Sequence, residues 1–495
     1  MPARTGAQFL RGLADGREIW VGGERVTDVV DHPAFTGAAH ALAEVFDLQH
    51  EAAGVCLMPD PETGEPINVS HMIPRSREDL QRRHLALERI SEYSVGLMGR
   101  TPDYMNVTYA GFAGRSDEWA VNGNAQGAEN LVKYQKKLAR DDISLTHTIV
   151  HTTVDRAKGE TPLGYDDVQL HRVEDTEHGI LVRGSRILAT LAPFADEIAV
   201  YPGHPMPNAT DVHALSFNIR IDTPGLKFLC RDSTSVNTNR FDNPLSSRFD
   251  EQDAFVIFDD VEVPRDRIFI NANLAVYNSV MLTGWWPNIM HQTMIRAQTK
   301  LEFAYGLAAR MAEAVNVNSP QAQQMLGEIW CFAEFARSAI LSAEQGAYEY
   351  GNGVWFPDGR PLVALRAALP VWFPRVNEII RLLGSHNHFT APSAAQFADP
   401  TLRPLLDKYL PGAGGVSAEQ RARIFRLAWD YAGGALASRN EQYERFYLGS
   451  AGRNQANGHL YSDRTRANRL VDRFLNEDVP ELRREPPREG LRAAG

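Results

Sequence analysis

Cysteine is scarce in this chain: Cys56, Cys230 and Cys331 are the only three in 495 residues. An odd number at wide spacing, with no Cys-x-x-Cys, fits neither a disulfide framework nor a structural zinc site. Excess positive charge is also missing. Fifty-one Lys plus Arg stand against 62 Asp plus Glu, a formal charge of −11, so no field exists to hold phosphate backbones or anionic lipid, and neither nucleic acid nor a membrane is an expected partner. Met1 to Trp20 carries Arg4, Arg11, Asp15, Arg17 and Glu18 and builds no apolar signal-peptide core. The longest uncharged run, Ile268 to Ile295, contains Asn271, Asn273, Asn278, Pro287, Asn288, His291 and Gln292, too polar for hydrocarbon. The expected location is cytoplasmic. No repeat, no Gly-x-Gly-x-x-Gly after a strand and no Gly-x4-Gly-Lys-Ser/Thr is present, and Gly412-Ala413-Gly414-Gly415 reads as a flexible loop. A flavin or nicotinamide, if used, binds in some other way than a Rossmann site.

At roughly 150 residues per domain the length predicts about three domains. Residues 1–143 read as mainly helical: Thr5-Gly6-Ala7-Gln8 has capping-box spacing, Trp20 to Val26 reads as a short hairpin, and His40–Leu48 and Ser76–Met98 return apolar residues every three or four positions. Residues 144–271 read as an antiparallel β-barrel or sandwich, with β-rich runs such as Thr146–Val154, Glu197–Tyr201, Ala214–Ile221 and Ala254–Val263 punctuated by Gly, Pro, Asn and Asp. Residues 272–479 return to helical periodicity, with Met325, Ile329, Phe332, Ala336 and Ile340 on one stripe, and predict a helical bundle. The tail 480–495 reads as disordered. The class is α+β.

Several segments carry chemistry-bearing residues. His147 and His151 flank β-branched residues, and on one strand they would share a face roughly 13 Å apart, too far to bind one ion; each alone reads either as a buried structural histidine or as a catalytic one. His386-Asn387-His388 has no neighbouring carboxylate and reads as a loop. Arg100-Thr101-Pro102-Asp103-Tyr104 reads as the end of the long helix starting near Ser76, because the residue before proline leaves the α region. Its arginine serves there either the helix dipole or a ligand. Phe241 to Glu251 reads as a polar loop whose hydroxyls, arginine and carboxylates satisfy one another.

Five separated strings, in order, resemble the 4-hydroxyphenylacetate 3-hydroxylase family, oxygenase components of two-component flavin monooxygenases. They are Arg100 to Tyr104, Thr146-His147 followed by Val154-Asp155-Arg156, Ala189-Thr190, Pro244 to Glu251, and Tyr443-Glu444 with Gly449-Ser450. The likeness spans about Thr5 to Leu475. It implies an acyl-CoA dehydrogenase-like fold, with an N-terminal helical domain, a β domain and a C-terminal four-helix bundle, assembled as a homotetramer. It also implies reduced FAD (FADH2), delivered by diffusion from a separate NAD(P)H:flavin reductase, and O2 as co-substrate. A C4a-hydroperoxyflavin would hydroxylate a para-substituted phenol at the ortho carbon, giving a catechol, and no metal is called for. By the same resemblance Arg100, Tyr104 and His147 surround the phenol hydroxyl, the arginine favouring ionisation and the neutral histidine accepting the proton. His147, Thr148 and Ile149, then Thr153, Val154, Asp155 and Arg156, then Thr190, resemble the flavin-lining segments, Thr190 facing the flavin N5 edge. Gly449, Ser450, Ala451 and Gly452 resemble a cofactor-contacting loop, with Arg453 available to a phosphate.

One segment departs from the pattern. Where relatives acting on small phenol acids present hydroxyls to the substrate carboxylate, this chain has Tyr201-Pro202-Gly203-His204-Pro205-Met206, so that Pro202, Gly203 and His204 are candidate substrate contacts. The phenol is then 4-hydroxyphenylacetate or a larger relative such as a coumarate or a tyrosine-derived compound. Two alternatives share the scaffold. A 4-hydroxybutyryl-CoA dehydratase-like flavoenzyme needs clustered cysteines for an iron–sulfur cluster, and none lies near Arg100. A non-catalytic flavin-binding protein would not need Arg100, Tyr104 and His147.

Overall fold

A computed structural model describes residues 3–155, 167–206, 209–235, 239–281, 283, 286–477 and 479. The expected tail 480–495 and the flavin candidate Arg156 lie outside the described residues.

The N-terminal part is helical where capping and periodicity predict it. Thr5 caps Gly6–Gly12 in a reciprocal capping box with Gln8, and Ser76 caps Arg77–Tyr93, whose first turn carries Glu78 and Asp79. The Arg100 segment differs from expectation. The helix from Arg77 stops at Tyr93, and Pro102 opens a new one, Pro102–Gly114. Proline lacks the N–H that a first helical position leaves unused, and Thr101, pushed to extended geometry (φ −52°, ψ 156°), becomes its N-cap residue. Arg100 thus stands before a helix N-terminus rather than at a C-terminus.

The β part consists of two sheets. One runs in the order Glu24–Val26, Glu18–Val21, Leu226–Cys230, Asp253–Pro264, Gly179–Thr190 and Val150–His151, with His171–Asp175 also on Gly179–Thr190. The other runs Ile268–Ile270, Ser216–Arg220, Glu197–Val200, Leu145–Thr148. Pairing is antiparallel except for Glu18–Val21 on Leu226–Cys230 and Leu145–Thr148 on Glu197–Val200. The first exception ties the predicted N-terminal hairpin into the main sheet. The stretch Thr146–Val154, read as one strand, is two: the chain leaves one sheet after Thr148 and joins the other at Val150, so His147 and His151 belong to different sheets.

Helices Trp286–Ala314, Pro320–Gln345, Gly359–Gly384 and Ala418–Ala432 form the bundle, the last continuing past Gly433-Gly434 as Ala435–Phe446. Ile329, Ala336 and Ile340 of the predicted stripe are buried, and Met325 and Phe332 pack against the same core. Helices, then sheet, then bundle is the order that the resemblance implies. His386-Asn387-His388 is not a loop: Asn387–Thr390 is a short helix, and the buried His388 ring meets the Ile380 carbonyl at 3.2 Å. The space is available because residue 384 is glycine, since an added Cβ there would lie 1.7 Å from His388 Nε2. Among the described residues no helix is long and apolar enough to cross a membrane.

Candidate functional site

Arg100 sits where all three parts meet. Its guanidinium carbon lies 4.0 Å from the Tyr104 ring centre, 4.9 Å from that of Tyr447 and 5.6 Å from that of Tyr443. Burial works against this charge, but the surrounding phenols of Tyr104, Tyr443 and Tyr447 more than offset it and raise its pKa. The Tyr104 ring stacks on His147 at 5.4 Å, and His147 lies 5.5 Å from Tyr201. The Pro102–Gly114 helix therefore brings Tyr104 onto the strand carrying His147, and the neighbouring parallel strand delivers Tyr201. Burial, reinforced by Arg100, holds the His147 pKa well below the usual histidine value, so the imidazole is neutral. A fixed cation, a phenol and a neutral imidazole stacked side by side are the groups needed to bind a hydroxyl and take its proton.

A chain of charge-assisted bonds joins this group to Thr190. Arg100 N–H donates to Glu251 Oε1 at 2.7 Å, and Arg439 donates to Glu251 Oε2 at 3.0 Å and to both Asp253 oxygens at 2.6 and 2.8 Å. The Thr190 hydroxyl donates to Asp253 Oδ1 at 2.8 Å, while Thr146 donates to the Thr190 carbonyl at 2.6 Å. Burial alone would raise the Asp253 pKa, but Arg439 and Arg231 bring it down to about 2. The loop Phe241 to Glu251 therefore does not satisfy itself, since its carboxylates are held from outside. Asp250 pairs with Arg231 at 2.6 Å, and Asp430 Oδ2 accepts from the backbone of Leu245 and Ser246 at 2.8 Å each.

The other candidates fall around this centre. Thr148 reaches the Ile187 carbonyl at 3.4 Å; beyond Ile149, Thr153 and Asp155 are half-buried, and Val154 is exposed. Pro202, Gly203 and His204 follow Tyr201 and cross Ile149, where an added Gly203 Cβ would lie 3.0 Å from the Ile149 carbonyl oxygen. Gly449, with φ +88°, precedes Ser450, which caps Ala451–Tyr461 and its exposed Gly452. Asn454 and Arg366 fasten this loop to the bundle by bonding the Leu448 carbonyl at 3.1 and 2.7 Å, and Arg366 senses Tyr104 and Tyr447. The fit to a flavin rests on the strand Gly179–Thr190: Ile187 and Leu188 are exposed between buried Arg186 and Ala189, an apolar platform beside Thr148 and Thr190. The Thr190 hydroxyl, already donating to Asp253, keeps its lone pairs for an N–H donor such as the N5 edge of a reduced flavin.

Sequence reasoning did not single out Tyr447, Arg439 or Asp253, which lie outside the local motifs and act through partners far away in sequence. It also missed a cluster of His84, His291 and Glu344, whose possible ligand atoms lie within 4.8 Å of one another. Glu344 Oε1 accepts from both rings, at 2.5 and 2.7 Å, and the buried Arg83 guanidinium stands 3.4 Å from His291 Nδ1. A donor on that nitrogen fixes the proton on Nε2, where a metal would have to bind, so the cluster is built as a hydrogen-bonded junction of three helices.

Comparisons with known proteins bear on the whole chain. Residues 5–270 match the family profile described as 4-hydroxyphenylacetate 3-hydroxylase N terminal, and residues 276–476 match its C-terminal counterpart. The 4-hydroxyphenylacetate 3-monooxygenase oxygenase component of Thermus thermophilus is 36% identical over 488 residues, covering 96% of this chain and 98% of that protein. The oxygenase component of a Rhodococcus 4-nitrophenol 2-monooxygenase is 32% identical, covering 90% of this chain and 86% of its own length. A crystal structure of the oxygenase component of 4-hydroxyphenylacetate 3-monooxygenase with FAD and 4-hydroxyphenylacetate superposes with a TM-score of 0.91 at 34% identity, covering 96% of this chain and 98% of that one. From the sheet-to-bundle architecture to the Arg100, Tyr104 and His147 strings, this chain belongs to the 4-hydroxyphenylacetate 3-hydroxylase family.

Proposed function

We propose that the chain is the oxygenase component of a two-component flavin monooxygenase that converts a para-substituted phenol to a catechol. The observation that carries this reading is the stacking of Arg100 on Tyr104 and of Tyr104 on a neutral, buried His147. When bound, FADH2 supplies the two electrons that activate O2; one oxygen atom enters the ring ortho to the hydroxyl and the other leaves as water. The protein's part is to orient the phenol and move its proton. Arg100 stabilises the phenolate, Tyr104 and His147 hold the hydroxyl, and His147 accepts the proton, which makes the ring a stronger nucleophile. Thr148, Ile149, Thr153 to Asp155 and Thr190 would line the cofactor, with Thr190 held in place by Asp253. The loop Gly449 to Gly452 closes the site beside Arg366.

The partner is a separate NAD(P)H:flavin reductase, and the location is cytoplasmic. A homotetramer is supported by the exposed apolar residues on the bundle, Trp330, Phe335, Leu341, Val371 and Leu382, which water would otherwise cover. The test is a panel of para-substituted phenols, including 4-hydroxyphenylacetate, coumarate and tyrosine-derived compounds, given O2 and FADH2 from a generic flavin reductase. A catechol is expected from at least one of them. Consumption of O2 entirely as H2O2 across the panel would overturn the reading.

A further inference from the structure

One side chain of the bundle holds two carboxylates of the β part. Arg439 lies on the helix Ala435–Phe446, and its side chain is 9% exposed, against 0% for Glu251 and 14% for Asp253. Every nitrogen of its guanidinium is used: Nε and Nη2 donate to the two Asp253 oxygens at 2.8 and 2.6 Å, and Nη1 donates to Glu251 Oε2 at 3.0 Å and to Asn440 Oδ1 at 3.2 Å. Its central carbon lies 4.7 Å from the centre of the Tyr443 ring, which Arg100 meets at 5.6 Å. A planar fork of N–H groups can span two acids in this way, and the point charge of a lysine cannot. Asp253 has a second cation, Arg231, whose Nε stands 3.0 Å from Oδ2. Glu251 is ion-paired with Arg439 alone among the described residues.

The two acids lead to different ends of the site. Glu251 Oε1 accepts the Arg100 backbone N–H at 2.7 Å. Asp253 Oδ1 accepts the Thr190 hydroxyl at 2.8 Å, and Asp253 and Thr190 are also partners across the sheet. Arg100 stands before a helix and Thr190 ends a strand, yet both hang on one guanidinium. Hydroxylation needs the ring carbon and the incoming oxygen at a fixed separation, and a displacement of about 1 Å can cost about a hundredfold in rate. We propose that Arg439 is a positioning residue for both ends of the reaction, setting the Arg100 backbone through Glu251 and the Thr190 hydroxyl through Asp253. The inference rests on the phenol reading of Arg100 and the flavin reading of Thr190, and it adds the residue that fixes one relative to the other. A residue that only stabilised the fold would disturb both ends whichever acid was altered. A branched support predicts instead that each acid governs its own end.

The test binds two probes to the full-length protein. 4-Nitrophenol, whose phenolate is coloured, is titrated with pH on the FAD-loaded protein and reports the Arg100 end by the pH at which the bound probe ionises. FADH2, bound anaerobically in a calorimeter, reports the Thr190 end. In the wild type the bound phenol should ionise about one pH unit lower than the free one. Glu251→Gln should shrink that shift and leave FADH2 affinity unchanged. Asp253→Asn should weaken FADH2 binding by about 3–10-fold, the range of one hydrogen bond, and leave the shift in place. Arg439→Gln should lose both, and Arg439→Lys, which keeps the charge without the fork, should lose at least one. A folded Arg439→Gln that keeps both would overturn the proposal, as would acid variants that each impair the two probes alike. If Arg439→Gln does not fold, Arg439→Lys and the two acid variants still decide. Failure of the phenol reading looks different, because 4-nitrophenol bound to the wild type then ionises like the free probe.

Discussion

Replacing His147 with alanine isolates the proton-accepting step. The imidazole is buried between Tyr104 and Tyr201, and its depressed pKa keeps it uncharged throughout the neutral range. A free phenol ionises with a pKa of about 10, so at pH 7 only about one molecule in a thousand is phenolate without help. If Arg100 lowers that value by about a unit, the fraction rises to about one in a hundred. Removing the base is therefore expected to lower catechol formation by about a hundred- to a thousandfold at pH 7, within the range of a general base. The deficit should shrink by about tenfold per pH unit as the medium supplies phenolate. Reduced flavin and O2 are still consumed, and the lost product appears as H2O2. Catechol is measured by chromatography and H2O2 by a peroxidase-coupled assay, across about pH 6 to 9. The wild type should hold its coupling through about 6.5, the ordinary histidine value. Normal coupling in His147→Ala, or a wild-type decline centred on the ordinary histidine value, would refute the reasoning.

Arg100→Ala should weaken phenol binding by about tenfold or more through loss of its permanent positive charge, with a smaller effect on FAD; equal losses for both ligands, by calorimetry, would mean that the residue serves the cofactor. Gly99→Ala should destabilise the protein by about 1–3 kcal/mol in urea unfolding, because the new Cβ would lie 2.2 Å from the buried Tyr443 hydroxyl and force that ring off Arg100. Asp103 is buried, and burial lifts its pKa from 3.8 to about 6 although Gln292 donates to it. A raised folded value favours the protein below about pH 4 and is lost as pH rises through 6, so Asp103→Asn should add about 3 kcal/mol at pH 7 and almost nothing at pH 4. Glu444 bonds Arg296 and Lys300 at 2.8 Å each. Burial opposes ionisation of Glu444, but these cations hold it down from 4.5 to about 2, and Asp253 is likewise brought to about 2. Their stabilisation is complete above the unfolded values and lost as pH falls toward 2, so thermal stability should drop steeply below about pH 4.5 and less steeply in Glu444→Gln.

Much of the architecture is legible in the residues themselves. Capping boxes, the glycine turn near Trp20 and the apolar stripe around Ile329 are local signals, because a helix or hairpin is specified within a few turns of chain. The Arg100 string shows where local reading stops. Proline before a helix and proline after one look alike without the neighbouring elements, so the string predicts an ending where the fold has a beginning. The β-branched run at Thr146 posed a similar problem: strand propensity was correct, but propensity does not say that two halves of a run pair with different sheets.

By itself, then, the sequence determined the order of helices, sheet and bundle and carried Arg100, Tyr104, His147 and Thr190 in recognisable strings. Tertiary structure alone decided how they are joined. Glu251 reaches Arg100 across 151 positions, Arg439 reaches Asp253 across 186, and Tyr447 arrives from the last helix of the bundle. It also placed Arg186 opposite His151 in the sheet, with Nε and Nη2 unbonded among the described residues. Periodicity and turn chemistry act over a few residues, whereas a charge finds its partner only when distant elements pack.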